Sequence, residues 1–268
     1  MNASVFLDTT IQVGKIWGDD SHRQAVKQIL DKFESRMSSS YVKMEFKRGF
    51  LQYLVYMYNI LVESKDFREI YVRMQKLSPQ VTHRIGGVFC ALSSFFDIKE
   101  LKVPKTYDGP MLDELYLLLE SFLRQRIETA MTSFDDGLDS IMDQTRCFLA
   151  TQGPIMKGEI FDNRNPICKK QDIKCSIVNF LTENREAFQL ILQVLQDSPT
   201  LDQELENMKK AIEKVLKYND EIANRKNCWH CGDAIIAVEC PGEAKLFTTN
   251  KKHFQPICSA INKDVIFP

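Results

Sequence analysis

Residues 5–10 are Val5-Phe6-Leu7-Asp8-Thr9-Thr10, and this stretch decides the fold. Apolar residues, among them a β-branched one and an aromatic one, lead directly into turn-forming polar residues. That pattern favours a strand over a helix. We therefore expect Asp8 at the carboxyl end of a strand, which is where an open α/β sheet forms its ligand sites.

The far end of the chain shows the same alternation of helix and strand. Residues 233–238 predict a compact helix of small and apolar residues, and residues 244–249 predict a strand. Between residues 49 and 226, periodic apolar positions predict helices almost throughout. The sequence thus predicts an α/β domain whose sheet is formed by the two chain ends, residues 1–48 and 227–268, with a mainly α-helical insertion between them.

Composition and charge exclude several classes of protein. The 268 residues include only 11 Gly and 9 Pro, which disfavours collagen-like, linker-dominated and turn-dense all-β chains. The formal net charge is −1, so any contact with nucleic acid must come from local basic patches. The sequence has no apolar run of about 18 residues and no signal-peptide pattern. We therefore expect a cytoplasmic protein that does not bind membranes.

Four segments, in this order along the chain, resemble motifs of the PIN family of metal-dependent ribonucleases. The first resembles the family's opening strand, whose terminal Asp binds metal, and the second resembles its Ser-x-x-x-x-Glu helix start. The third is similar to the family's Asp-Ala-hydrophobic-hydrophobic-Ala helix, and the fourth to the strand and turn that hold its last site position. These segments are Phe6–Thr10, Ser40–Glu45, Gly232–Ala237 and Leu246–Phe254.

The resemblance implies a parallel sheet flanked by helices and an endoribonuclease activity, with single-stranded RNA as the favoured substrate. It also implies that Asp8, Glu45 and Asp233 bind Mg²⁺ or Mn²⁺, and that Asn250 takes part in catalysis as a neutral oxygen donor. Such cations prefer oxygen ligands, orient a scissile phosphate and activate water. Two features depart from the family. Many relatives have Asp at position 250, and the insertion, which includes some of the family's core helices, is far longer than in compact relatives.

Basic residues stand near three of these site positions in the sequence: Glu45, Asp233 and Asn250. A near-neutral protein needs such local clusters to hold a phosphate backbone. Ordinary solvated surface residues are the alternative interpretation of the same clusters. We predict that four of the basic residues bind nucleic acid: Lys47, Arg48, Lys251 and Lys252.

The motif Cys228-x-x-Cys231-Gly232 is typical of zinc sites, in which two thiolates bind one ion from a tight turn. Gly232 would allow the positive φ that such a turn requires. Cys168 and Cys175 supply a second pair, so a structural Zn²⁺ would tie the insertion to the helix that follows the motif. Buried free thiols and a thioredoxin-like redox pair are the alternatives. The remaining cysteines lie in apolar stretches and are predicted to be in the core: Cys90, Cys147, Cys240 and Cys258.

Two functions from different classes follow from this sequence. The first is a nuclease that hydrolyses RNA through an acidic Mg²⁺ or Mn²⁺ site. The second is a catalytically degenerate module of the same fold, neutral at Asn250, that binds a protein or nucleic-acid partner through the helical insertion. Each acidic residue also has a structural interpretation: Asp8 as a turn former, Glu45 as part of a solvated helix face, and Asp233 as a helix N-cap.

Overall fold

The computed structural model describes residues 4–17, 20–64, 69–70, 72–73, 76, 109–162 and 176–268. The strands are β1 (Ser4–Leu7), β2 (Ser35–Ser39), β3 (Ser140–Met142), β4 (Met156–Lys157), β5 (Ile160–Phe161), β6 (Ala244–Phe247) and β7 (Val265–Ile266). The α-helices are α1 (Thr9–Trp17), α2 (Asp20–Leu30), α3 (Ser40–Phe46), α4 (Gln52–Glu63), α5 (Gly109–Asp135), α6 (Ile177–Glu183), α7 (Arg185–Asp197), α8 (Gln203–Lys217), α9 (Arg225–His230), α10 (Gly232–Glu239) and α11 (Lys251–Ala260). Within these ranges, no helix has both the length and the apolar character that crossing a membrane requires.

Five strands form one parallel sheet in the order β3-β2-β1-β6-β7. β1 lies at its centre, where Ser4 aligns with Ser35 of β2 and with Ala244 of β6. Helices flank this sheet, while β4 and β5 form a two-stranded antiparallel sheet of their own. The α/β class and the parallel sheet predicted from the sequence are therefore confirmed.

The central position of β1 explains its apolar composition. Val5, Phe6 and Leu7 are fully buried. Successive side chains of a strand point to opposite faces of the sheet. Accordingly, Val5 and Leu7 belong to a cluster that includes Val26 and Leu30 of α2. Phe6 belongs to the larger core on the other face. β1 ends at Leu7, and the polar residue Asp8 follows it directly.

One strand of the five-stranded sheet, β3, comes from the segment predicted to be a helical insertion. α5 ends at Asp135, and Gly137, with a φ of 71°, turns the chain toward β3. The amide of Asp139 donates to the carbonyl of Arg36 (2.8 Å), and β3 then pairs with β2. The expectation that the two chain ends alone form the sheet is therefore wrong. β3 has three residues, two of them exposed, so it shows no apolar period that predicts a strand.

The helical segment and the sheet-forming ends share one core. α7 packs against α8 and also against α10 and α11. Its buried Phe188 and Ile191 belong to the same hydrophobic cluster as Ile235 of α10 and Phe254 of α11. Residues of the predicted insertion therefore support the two helices that follow it in the chain.

Candidate active site

The three predicted acidic residues lie near one another at the carboxyl edge of the sheet. Asp8 follows β1, Glu45 lies in the second turn of α3, and Asp233 lies in the first turn of α10. Burial is the largest cause that raises the pKa of Asp8 and of Glu45, and the charge of Asp233 raises both further. The fold thus brings together residues from both ends of the chain.

Hydrogen bonds from threonines hold the Asp8 carboxylate in place. Its Oδ2 accepts from the hydroxyls of Thr10 (2.8 Å) and Thr248 (2.7 Å), and its Oδ1 accepts from the amide of Thr9. The Asp8 amide donates to the carbonyl of Phe247 (3.1 Å). Thr248 directly follows β6, so these bonds join the ends of two neighbouring strands at the site. These threonines are not among the site residues predicted from the sequence.

Glu45 is held between the beginning of α1 and the beginning of α10. Its Oε2 accepts from the hydroxyl of Thr9 (2.9 Å). On the other side of Glu45, Oε1 lies against Gly232. A Cβ atom added to Gly232 would be less than 3.0 Å from Oε1, and real Cβ atoms essentially never make so short a contact. The expectation of a positive φ at Gly232 is wrong, because this residue begins a helix and the described glycines with positive φ are Gly137 and Gly158. Glu45 requires the space that glycine leaves.

Asp233 has two neighbours on the same carboxylate oxygen. Nδ1 of His253 lies 2.7 Å from Asp233 Oδ2, and Nδ2 of Asn250 lies 3.4 Å from that atom. Within the part of the chain that the structure describes, Asp233 Oδ1 receives no hydrogen bond. Asn250 therefore lies in the site, where its amide nitrogen faces Asp233.

Negative charge is costly at this edge of the sheet. Burial, followed by the charge of Asp233, raises the pKa of Asp8 to about 6, although the hydrogen bond from Thr248 lowers it. Enclosure by protein atoms raises the pKa of Glu45 well above its ordinary range, and the charges of Asp233 and Asp8 raise it further. A cation among these oxygens would offset both the loss of solvation and the mutual repulsion.

The donor set suits Mg²⁺ or Mn²⁺, because the four predicted residues offer side-chain oxygens, which these hard cations prefer. Glu45 Oε1 and Asp233 Oδ1 accept no hydrogen bond from the described residues, so both atoms are available to a ligand. In the same residues, no three Asp, Glu, His or Cys side chains form an assembled ligand cluster. The fit to a cation therefore rests on donor chemistry and charge.

His253 is a site residue that the sequence analysis missed. It is buried in α11, and its ring nitrogens face Asp233 Oδ2 and, at 3.1 Å, Asp202 Oδ2. The hydrogen bond to Asp233 is the largest of the causes that raise its pKa to about 9. At neutral pH both ring nitrogens therefore donate. The spacing could have indicated this role, because His253 lies three residues after Asn250, on the same helix face.

Lys47 does not lie where a nucleic acid could contact it. It begins a π-helical segment (Lys47–Leu51) that continues α3, and its side chain is buried. The ammonium donates to the carbonyl of Leu149, and burial lowers the pKa of Lys47 to about 8. This contact removes Lys47 from the residues proposed to bind phosphate.

The other three predicted nucleic-acid-binding residues lie at the surface. Arg48 is half-buried, and its Cζ lies 4.7 Å from the ring centroid of Trp229. Lys251 and Lys252 are exposed at the beginning of α11. The ammonium of Lys252 pairs with Asp202 (2.8 Å). These three residues therefore remain candidates for phosphate binding.

Two of the four predicted zinc ligands, Cys168 and Cys175, lie outside the described residues. Cys228 is half-buried in α9, where its carbonyl accepts from the hydroxyl of Tyr41 (2.6 Å). Cys231 is fully buried, and burial raises the pKa of its thiol. The zinc site stays a prediction. Of the cysteines expected in the core, Cys240 and Cys258 are buried, Cys147 is half-buried, and Cys90 lies outside the described residues.

Comparison with known proteins gave no match. No family model matches the chain, and no curated protein or solved structure matches it. Membership of the PIN family therefore stays a hypothesis based on the four motifs and on the geometry of the site.

Proposed function

We propose that this protein is a metal-dependent nuclease of the PIN type that hydrolyses RNA phosphodiester bonds. The observation that supports it best is the meeting of Asp8, Glu45 and Asp233 at the carboxyl edge of a parallel sheet. Asp8 is buried and the other two are half-buried. Burial and the charge of Asp233 raise the pKa of Asp8 and of Glu45, which weakens the fold when no cation is bound, so the presence of these carboxylates here indicates a function.

In this proposal Asp8, Glu45 and Asp233 hold Mg²⁺ or Mn²⁺, and Asn250 adds a neutral oxygen. When bound, the ion supplies positive charge to the scissile phosphate and lowers the pKa of the attacking water. Thr248 favours the ionised form of Asp8 because it donates a hydrogen bond to that carboxylate. This hydrogen bond therefore favours the charged carboxylate that would bind the cation.

The substrate strand would lie over two cations near this edge, the exposed Lys251 and the half-buried Arg48. Lys251 directly follows Asn250, and Arg48 is close enough to Glu45 to lower its pKa. Both residues can pair with phosphate oxygens on either side of the acidic residues. The preference for RNA over DNA, and for single strands, comes from the resemblance to the PIN family.

The direct test is the cleavage of a mixed RNA pool by the purified protein in Mg²⁺, in Mn²⁺ and in EDTA. Asp233→Asn should abolish cleavage while the circular dichroism spectrum stays that of the wild type. Asp264→Asn removes a carboxylate that is 78% exposed, so it is the matched control and should cleave normally. Cleavage that persists in excess EDTA or in Asp233→Asn would contradict the nuclease. A parallel assay on single-stranded DNA tests the preference for RNA.

A second candidate function is a non-catalytic module that binds a protein or nucleic-acid partner through the helical segment. One observation favours it: the residue at position 250 is Asn, which is neutral, where many members of the PIN family have Asp. This alternative predicts that the wild type neither cleaves RNA nor binds Mn²⁺. It also predicts that Asn250→Asp, which adds a charged ligand, creates Mn²⁺ binding.

A further inference from the structure

Hydrogen bonds connect Asp202 to Asp233 through one side chain, that of His253. Nδ1 of His253 faces Asp233 Oδ2 at 2.7 Å, and Nε2 faces Asp202 Oδ2 at 3.1 Å. The histidine side chain is 7% exposed, so the protein rather than solvent supplies both partners. Both partners are acceptors, and the ring cannot turn without losing one of them.

Asp202 is itself fixed by the helix that follows it. It is the N-cap of α8, where its Oδ1 accepts from the amide of Leu205 (2.8 Å). Its Oδ2 accepts from Lys252 and His253. Partial burial raises the pKa of Asp202, but these donors together hold it well below its ordinary range. Asp202 is therefore a firmly held anion on the Nε2 side of His253, and it belongs to the helical segment of residues 49–226.

The same contacts determine which oxygen of Asp233 is available. Asn250 and His253 both face Oδ2, while Oδ1 receives no hydrogen bond from the described residues. The χ2 torsion of an Asp side chain has broad minima, so a carboxylate that nothing holds can rotate about it and interchange the positions of Oδ1 and Oδ2. With Oδ2 held by two donors, the exchange would break both hydrogen bonds. Oδ1 therefore remains the oxygen available to a ligand.

We propose that His253 and Asp202 are positioning residues that hold the Asp233 carboxylate so that Oδ1 is offered to the divalent cation. This inference rests on the proposed function, since it concerns the same site. It also gives the helical segment a role in that site, because Asp202 links α8 to Asp233. Removal of such outer partners typically lowers metal affinity or activity by about 10- to 100-fold.

Four variants separate a positioning role from a structural one. Asp202→Asn keeps an N-cap for α8, since Asn caps as well as Asp, but it turns an amide nitrogen toward the Nε2 donor of His253. His253→Ala removes both contacts, and His253→Asn restores a donor close to the position of Nδ1. Glu204→Gln is the matched control, because it removes a 78% exposed carboxylate 3.7 Å from the same ring.

Mn²⁺ binding to the full-length protein, measured by isothermal titration calorimetry, reports the positioning without any turnover. We expect Asp202→Asn and His253→Ala to weaken Mn²⁺ binding by about 10- to 100-fold. His253→Asn should recover part of the loss, and Glu204→Gln should bind as the wild type does. Thermal unfolding in EDTA shows which variants fold, and Asp202→Asn decides the question if His253→Ala does not fold.

Two results would overturn the inference, and they are distinguishable. Unchanged Mn²⁺ affinity in folded Asp202→Asn, while Asp233→Asn loses the ion, would overturn the positioning role and leave the proposed function intact. Wild-type protein that binds no Mn²⁺ would overturn the proposed function and the positioning role together.

Discussion

Oε1 of Glu45 occupies the space in which a side chain at Gly232 would begin. A Cβ there would approach this oxygen more closely than 3.0 Å, which real Cβ atoms essentially never do. Because Gly232 directly precedes Asp233, the contact determines how closely two of the candidate metal ligands approach each other. Glycine at this position thus serves the site through its small size.

Gly232→Ala should force Glu45 or α10 to move. Overpacking of this kind lowers the free energy of unfolding by about 1–3 kcal/mol. We also expect Mn²⁺ affinity and RNA cleavage to fall by at least about tenfold, because the ligands are displaced. Urea unfolding and Mn²⁺ titration measure the two effects. Gly242→Ala is the matched control, since nothing lies within 4 Å of its added Cβ, and equal behaviour of both variants would contradict this role of Gly232.

Asp8→Asn tests whether the buried carboxylate serves the ion or the fold. Burial is the main cause that raises the pKa of Asp8 to about 6, so its charge weakens the folded state when no cation is bound. We expect Asp8→Asn to unfold in EDTA at the wild-type temperature or above it. Cleavage should nevertheless fall by at least about a hundredfold. A variant that cleaves at the wild-type rate would remove Asp8 from the mechanism.

Asn250→Asp adds a negative charge to the site. Nδ2 of Asn250 faces Asp233 Oδ2 at 3.4 Å, so a carboxylate in its place would repel Asp233 in the absence of a cation. We expect lower thermal stability in EDTA and a lower Mn²⁺ concentration for half-maximal cleavage, since charged ligands tighten the binding of hard cations. Unfolding in EDTA and a metal titration check the two effects. An unchanged titration would mean that residue 250 is not a metal ligand.

Much of the candidate site was predictable because its residues lie at the ends of strands and helices. The sequence on either side of such an end indicates where the strand or helix begins or stops. Asp8 ends an apolar strand, and Asp233 stands at the beginning of a helix of small apolar residues. Ser39, directly before the Ser40–Glu45 motif, is the N-cap of α3, where its hydroxyl accepts from the amide of Val42 (3.2 Å). Each of these signals spans only a few neighbouring residues.

Contacts between distant residues gave no such signal. The partners of His253 lie 20 and 51 residues away in the sequence. β2 consists mostly of polar residues, yet it lies inside the sheet because hydroxyls such as that of Ser38 bond to backbone, here to the carbonyl of Leu7 (2.9 Å). Lys47 begins a π-helical turn, which departs from the regular helical period, so its inward direction could not be predicted from spacing.

Zinc content tests the cysteine prediction. A site with four Cys ligands forms only in the folded chain, so it should bind about one zinc per chain and stabilise the fold. Cys228→Ser should lose that zinc and unfold at a lower temperature, whereas Cys147→Ser, outside the predicted set, should keep it. Elemental analysis and thermal unfolding are the measurements. Stable protein without zinc would remove the metal site and leave the four residues as ordinary core or surface residues: Cys168, Cys175, Cys228 and Cys231.

A buried carboxylate away from the candidate site makes stability depend on pH. Glu239 ends α10 and is 1% exposed. Its Oε2 accepts from Ser39, and its Oε1 has no hydrogen-bond partner among the described residues. Burial raises the pKa of Glu239 to about 7, although the hydrogen bond from Ser39 lowers it. The folded protein therefore binds this proton more tightly than the unfolded chain does.

Glu239→Gln should remove a loss of stability that the wild type shows as the pH rises. Protonated Glu239 contributes to the free energy of unfolding, and this contribution is fully present below about pH 4.5. It is lost as the pH rises through about 7, which lowers the free energy of unfolding by an amount on the order of a few kcal/mol. Urea unfolding at about pH 4 and about pH 8 measures this difference. The exposed control Glu243→Gln should lose stability as the wild type does. An equally steep loss in Glu239→Gln would mean that another group titrates.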